Sequence, residues 1–82
     1  MALTMSKQIL SPLPGTFYSK PAPDQPQFKS VGDAVAVGDV IGLIEVMKSF
    51  HEVVADQAGT ITAFAAEDEE PVMAGQALIE LS

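Results

Sequence analysis

Apolar residues along this chain seldom recur at helical spacing. Short β-prone runs take their place, supplied by Ile41, Leu43, Val53, Val54, Ile61, Thr62 and Phe64, with Gly15, Gly32, Gly38, Gly59 and Gly75 between them. Evenly spaced short strands separated by glycine turns predict an all-β sandwich or flattened barrel. Within the run from Val40 to Val46, strict alternation puts Val40, Gly42, Ile44 and Val46 on one face and Ile41, Leu43 and Glu45 on the other.

The pattern occurs twice. Pro14-Gly15-Thr16-Phe17 is echoed by Ala58-Gly59-Thr60-Ile61, 44 positions later. Val35-Ala36-Val37-Gly38-Asp39-Val40-Ile41 is echoed by Val72-Met73-Ala74-Gly75-Gln76-Ala77-Leu78, 37 positions later. Because both echoes keep the same order, two similar units related by quasi-twofold symmetry are expected. The unequal offsets make the first unit seven residues longer, with the excess between Gly15 and Gly38. Pro21-Ala22-Pro23-Asp24-Gln25-Pro26-Gln27 is the segment suited to that role. Three prolines withhold backbone donors from a ladder, so a protruding loop is predicted there.

Only Met47 and Lys48 separate the β-prone run ending at Val46 from the one starting at Ser49. A hairpin built from these runs needs a two-residue turn, and such turns favour glycine, asparagine or aspartate in type I′ or II′ geometry. Methionine and lysine at positive φ cost about 1 kcal/mol or more. Departures of this kind from local preference tend to mark function. The consequence is a lysine amine held in solvent at the tip of a stiff hairpin. Catalysis by lysine calls for a depressed pKa, from burial or from cationic neighbours. Glu45 and Glu52 on the flanking runs supply neither, so the position suits covalent attachment better.

Composition narrows the classes. Eighty-two residues make one small domain with a thin core, poorly able to wall a deep catalytic cleft. At 48% hydrophobic the chain can fold, and with no cysteine it has neither disulfides nor thiolate chemistry. A net charge of −7, with only four basic residues, argues against nucleic acid and favours basic partner surfaces. The longest apolar run, Val40-Ile41-Gly42-Leu43-Ile44, is far short of the roughly 20 residues of a membrane helix, and no targeting segment is evident. The expected location is the cytoplasm, without membrane contact.

At Glu45-Val46-Met47-Lys48-Ser49 the chain resembles the biotinyl domain family, whose attachment motif has the form Glu-Ala-Met-Lys-Met. Within that family it resembles the biotin carboxyl carriers of acetyl-CoA carboxylase, over about Ile9 to Leu81. The resemblance implies an N-terminal tail over 1–8 and one biotinyl domain over 9–82. It also implies a flattened barrel-sandwich of two four-stranded antiparallel sheets with quasi-twofold symmetry and a protruding "thumb", which Pro21 to Gln27 matches. Lys48 is the implied site of covalent biotin, and Glu45, Val46, Met47 and Ser49 the implied recognition motif for a biotin protein ligase. Biotin carboxylase and a carboxyltransferase are the implied partners, the first loading biotin with the use of ATP and bicarbonate. The second would pass the carboxyl group to acetyl-CoA, giving malonyl-CoA for fatty acid synthesis. On this resemblance the chain is a carrier and not itself an enzyme.

Val46 and Ser49 depart from the usual alanine and methionine of the motif, and the acceptor stays open among acetyl-CoA, propionyl-CoA, pyruvate and urea. Lipoyl domains resemble this chain too, yet typically carry a polar residue where Met47 stands. An unmodified β-sandwich binding module is the third reading. His51, the only histidine, is expected on a strand surface. Glu67-Asp68-Glu69-Glu70 is expected to be a solvated loop before Pro71, without the ligand spacing of a calcium site. Asp24 is the thumb residue singled out for contact with the carried group.

Overall fold

Two glycines, Gly15 and Gly42, show how tightly the strands are laid together. A Cβ on Gly42 would stand 2.5 Å from Phe17 Cε1 and 2.8 Å from the Tyr18 carbonyl oxygen. A Cβ on Gly15 would run into the Glu45 carbonyl. The computed structural model, which describes residues 7–82, resolves the apolar pattern into eight strands. They are β1 (Lys7–Leu10), β2 (Gly15–Tyr18), β3 (Ala34–Val35), β4 (Val40–Val46), β5 (Ser49–Val54), β6 (Gly59–Phe64), β7 (Glu70–Val72) and β8 (Ala77–Leu81). Of the tail expected over 1–8, residues 1–6 lie outside the described residues, while Lys7 and Gln8 belong to β1.

Two four-stranded sheets form, ordered β1-β8-β6-β3 and β5-β4-β2-β7, and all their pairings are antiparallel. Moving four strands along the chain turns the first order into the second, which is the quasi-twofold symmetry expected from the repeat. The core obeys the same relation. Phe17 and Ile61, Ile9 and Val53, Ile41 and Leu78, and Val35 and Val72 are equivalent pairs, and all eight are buried. Each burial contributes roughly 1.5–3 kcal/mol, so neither sheet has to stand without the other.

Four turns of one design link the strands: Ser30 to Asp33, Ala36 to Asp39, Glu67 to Glu70, and Met73 to Gln76. In each, the fourth residue's N–H donates to the first residue's carbonyl, over 3.0–3.1 Å. The fourth side chain in turn accepts from the first residue's N–H, over 2.8–3.0 Å. The third residue takes positive φ, as a type II turn requires: Gly32, Gly38, Gly75 and, in one case only, a non-glycine, Glu69 (φ 68). Lys29 Nζ reaches Asp39 Oδ2 at 3.3 Å. The Ala36 N–H first, and Lys29 second, hold the Asp39 carboxyl below its ordinary value.

Two expectations need correction. Glu67 to Glu70 is a built turn leading into β7 and not a free solvated loop. Strict alternation in β4 also fails, because a bulge between Val40 and Gly42 steps the ladder by one residue. Ile41 and Ile44, assigned to opposite faces by alternation, are therefore both fully buried. Pro71 lies in β7, an edge strand that pairs with β2 alone, where its missing donor faces no ladder partner.

The seven-residue excess lies in 19–29, where the other half needs only 63–66. Ser19, 2% exposed, closes the base of this loop. Its carbonyl accepts from the Phe28 N–H at 3.0 Å, and its own N–H and hydroxyl donate to Asp68 Oδ1 at 2.8 and 3.3 Å. Asp68 thus belongs to one unit and latches the loop of the other. Inside the loop, Gln25 N–H closes a turn on the Ala22 carbonyl at 3.1 Å.

Gly42→Ala is expected to destabilise the chain by about 1–3 kcal/mol, because strand backbone and a buried ring cannot both retreat; denaturant unfolding will measure it. Asp68→Ala is expected to leave the sheets intact while Ser19 and Phe28 amide hydrogens exchange at least about tenfold faster, reflecting loss of a charge-assisted bond. Hydrogen exchange confined to its parental rate at those two amides would contradict the latch.

Candidate functional site

The β4–β5 hairpin pairs Leu43 with Glu52, Ile44 with His51, Glu45 with Phe50 and Val46 with Ser49. That register leaves Met47 and Lys48 alone in the turn, at φ 50 and 69. Both values are positive, as type I′ geometry demands, and no glycine is present to accept them without strain. The turn projects its side chains outward: Met47 is 93% exposed and Lys48 is exposed.

The four lysines are not equivalent. Lys7 Nζ donates to the Ala58 carbonyl, Lys29 pairs with Asp39, and Lys20 is half-buried beside the loop. Lys48 makes no hydrogen bond or ion pair with the described residues, and its amine stands clear of the fold. Such a group can be acylated by an incoming reagent, but has no neighbour positioned to use it as an acid or base.

Beneath the tip lies a groove of about 330 Å³. Tyr18 and Phe50 form an aromatic side, with ring centroids 5.8 Å apart and planes tilted by 56°. Pro21, Ala22 and Pro23 line it as well, and Lys20, Asp68 and Glu69 supply its polar groups. The Tyr18 hydroxyl donates to Glu45 Oε1 at 3.0 Å. That bond first, then partial burial and the negative charges of Glu45, Glu69 and Asp68, raise the Tyr18 pKa above the ordinary tyrosine value. The raised value favours the protonated phenol in the fold. Its stabilising contribution is therefore complete below the ordinary tyrosine value and fades as pH rises through the raised one.

Glu45, Val46, Met47, Lys48 and Ser49 all lie on the hairpin, with Glu45 and Val46 half-buried at its base. Of the loop, Pro21, Ala22 and Pro23 line the groove together with Phe50 of the hairpin, whereas Asp24, Gln25, Pro26 and Gln27 do not line it. Asp24, the residue singled out in the loop, is exposed and away from the groove. Tyr18, Lys20, Phe50, Asp68 and Glu69 were missed by the sequence reading. A signal existed for Phe50, because a two-residue turn after Val46 forces it opposite Glu45. His51 is an exposed strand residue. Among the described residues no group of three or more histidine, cysteine, aspartate or glutamate side chains is arranged to hold a metal ion. No helix among them is long and apolar enough to cross a membrane.

Comparison with known proteins agrees with this geometry. The model of the family described as "Biotin-requiring enzyme" matches residues 7–81. The biotin carboxyl carrier protein of chloroplastic acetyl-CoA carboxylase from Glycine max is 52% identical over 64 residues, covering 78% of this chain and 24% of that protein. The biotin carboxyl carrier protein of acetyl-CoA carboxylase from Nostoc sp. is 36% identical over 74 residues, covering 90% of this chain and 41% of that protein. The chain thus spans well under half the length of these relatives. Kluyveromyces lactis urea carboxylase superposes over all of this chain and 7% of its own, with a TM-score of 0.76 at 24% identity, a likeness of fold alone. Matched over nearly its whole length, with the two-sheet fold and the exposed hairpin lysine in place, the chain belongs to the biotin-requiring enzyme family.

Proposed function

We propose that this chain is a biotin carboxyl carrier, with biotin joined through an amide bond to Lys48. The observation that carries the proposal is the hairpin tip. Lys48 stands at a strained two-residue turn, exposed and without a hydrogen bond or ion pair among the described residues, next to a methionine exposed over 93% of its surface. A biotin protein ligase supplies the activated carboxyl group. The Lys48 nitrogen attacks it, gives up a proton and expels the activating group. Exposure of Met47 and the Glu45 carboxylate on the adjoining strand support their reading as recognition elements.

Once attached, biotin supplies a ureido nitrogen that can take up and release a carboxyl group. The chain's part is positional. The hairpin keeps the attachment point clear of the sheets, and tethering raises the local concentration of the carried group at two active sites. The groove beneath the tip has the volume and mixed aromatic and polar lining suited to a small bicyclic ring, and Pro21 to Pro23 form its outer wall. The loop is therefore assigned the thumb's role, sheltering the carried group between partners.

Biotin carboxylase and a carboxyltransferase are the partners we assign, with acetyl-CoA as acceptor and malonyl-CoA as product. The names of the Glycine max and Nostoc relatives support that choice over the alternatives, and the loop fits it. The chain has no catalytic role in this scheme. The cytoplasm is the assigned location, with the relatives' names spanning chloroplastic and bacterial proteins.

Co-expression with a biotin ligase and biotin is expected to add the mass of one biotin less water, and Lys48→Arg is expected to add nothing. A modified Lys48→Arg chain, or an unmodified parent, contradicts the assignment. Lipoate supplied with a lipoate ligase should give no adduct, and an adduct there would move the chain to the lipoyl carriers. For the biotinylated Asp68→Ala chain, carboxyl transfer is expected to slow severalfold while ligase labelling stays at the parental rate; equal transfer rates would remove the loop from the mechanism.

A further inference from the structure

Glu45 uses its two carboxylate oxygens differently. Oε1 accepts the Tyr18 hydroxyl at 3.0 Å, whereas Oε2 has no partner among the described residues. The carboxylate is thus anchored through one oxygen, while the other is left free to accept from a partner molecule. Register explains how the anchor reaches it. Glu45 lies opposite Thr16 on one neighbouring strand and opposite Phe50 on the other. Tyr18, paired with Leu43, comes to Glu45 diagonally across β4 and continues to Phe50, so one side chain ties three strands together on their outer face.

The placement has a consequence for recognition. A glutamate on a strand surface normally samples several rotamers, and a partner must freeze them on binding. Glu45 stands three positions before Lys48 and is already fixed by a bond whose donor is itself held by an aromatic contact. Each of these groups is half-buried or exposed, so none is required to fill the core. The anchor therefore orders a surface carboxylate beside the attachment site without serving the sheets' packing.

We propose that Tyr18 is a positioning residue for attachment at Lys48: its hydroxyl fixes the Glu45 carboxylate so that the remaining oxygen, Oε2, meets a cationic or N–H donor on the attaching ligase. The inference rests on the reading of Lys48 as the biotin site. Tyr18 touches neither biotin nor the reacting amine in this scheme, and acts through Glu45 alone.

The test uses the whole chain with a purified biotin ligase. Tyr18→Phe keeps the ring, and with it the Phe50 contact, while removing the donor. It is expected to raise the KM for the chain about fivefold with kcat within about twofold of the parent, the scale of a lost charge-assisted hydrogen bond. Glu45→Gln is expected to shift KM in the same direction. Adding Tyr18→Phe to Glu45→Gln should then cost less than about a further twofold, because the two residues act as one unit. A second readout is independent of labelling. Tyr18 is the only tyrosine and the chain has no tryptophan, so ultraviolet titration follows this one phenol. Glu45→Gln is expected to bring its ionisation down from the raised value toward that of free tyrosine.

The outcomes separate cleanly. A parent that accepts no biotin overturns the attachment reading and this inference with it. A labelled parent whose Tyr18→Phe variant keeps the same KM overturns the inference alone. So does a multiplicative loss in the double variant, or a tyrosine titration that Glu45→Gln leaves unmoved.

Discussion

The contact between the Phe17 ring and Gly42 is the constraint on which the hairpin depends. Phe17 is fully buried and sits where a Gly42 side chain would otherwise stand. It locks β2 against β4 at the point where the β4 ladder has just been shifted by its bulge. From there to Glu45, β4 is flanked by β2 on one side and β5 on the other, and only the last pair, Val46 with Ser49, carries the tip beyond β2 as a two-strand ribbon. Isolated ribbons of this kind are marginal in water, so the stiffness at Lys48 is borrowed from the core below. The same contact fixes the end of β2, and thereby Tyr18 and the start of the loop. Hairpin, groove and loop are consequently all positioned by the same core contact.

Strain is confined to the functional end. Met47, Lys48 and Glu69 are the non-glycine residues at positive φ among those described, each at a cost of order 1 kcal/mol. Two of them form the tip and the third lies on the rim of the groove. Glu69 stands where the symmetry-related turn has Gly32, so the strain is a property of one unit and not of the turn design. A fold of this size tolerates such terms because its two halves bury equivalent side chains against each other, with no buried side-chain polar atom among the described residues left unpartnered.

Much of the acidic character also has a local purpose. Asp33, Asp39 and Glu70 each close a turn by accepting a backbone N–H, and Asp68 latches the loop. These carboxylates serve as acceptors in places where the backbone would otherwise face water unpaired. The net charge of −7 therefore reflects turn construction as well as solubility and partner attraction. Glu45 is a different case, with one oxygen accepting from the Tyr18 hydroxyl and the other without a partner among the described residues.

By itself the sequence determined the all-β class, the two-unit repeat, the hairpin and its exposed lysine. Those features are local: glycine spacing, strand-length apolar runs, and a two-residue gap that admits only one turn. It also located the extra seven residues, since a difference between repeat offsets needs no coordinates. The β4 bulge was hidden, because alternation cannot reveal a residue that steps out of the ladder. The turn at Glu67 to Glu70 was hidden because Glu69 replaced the glycine that marks its counterparts. Only the tertiary structure decided which groups surround the tip. Tyr18 meets Glu45 across 27 positions, and Ser19 meets Asp68 across 49. Contacts over such separations are set by sheet order and register, which form only when both halves close on a common core.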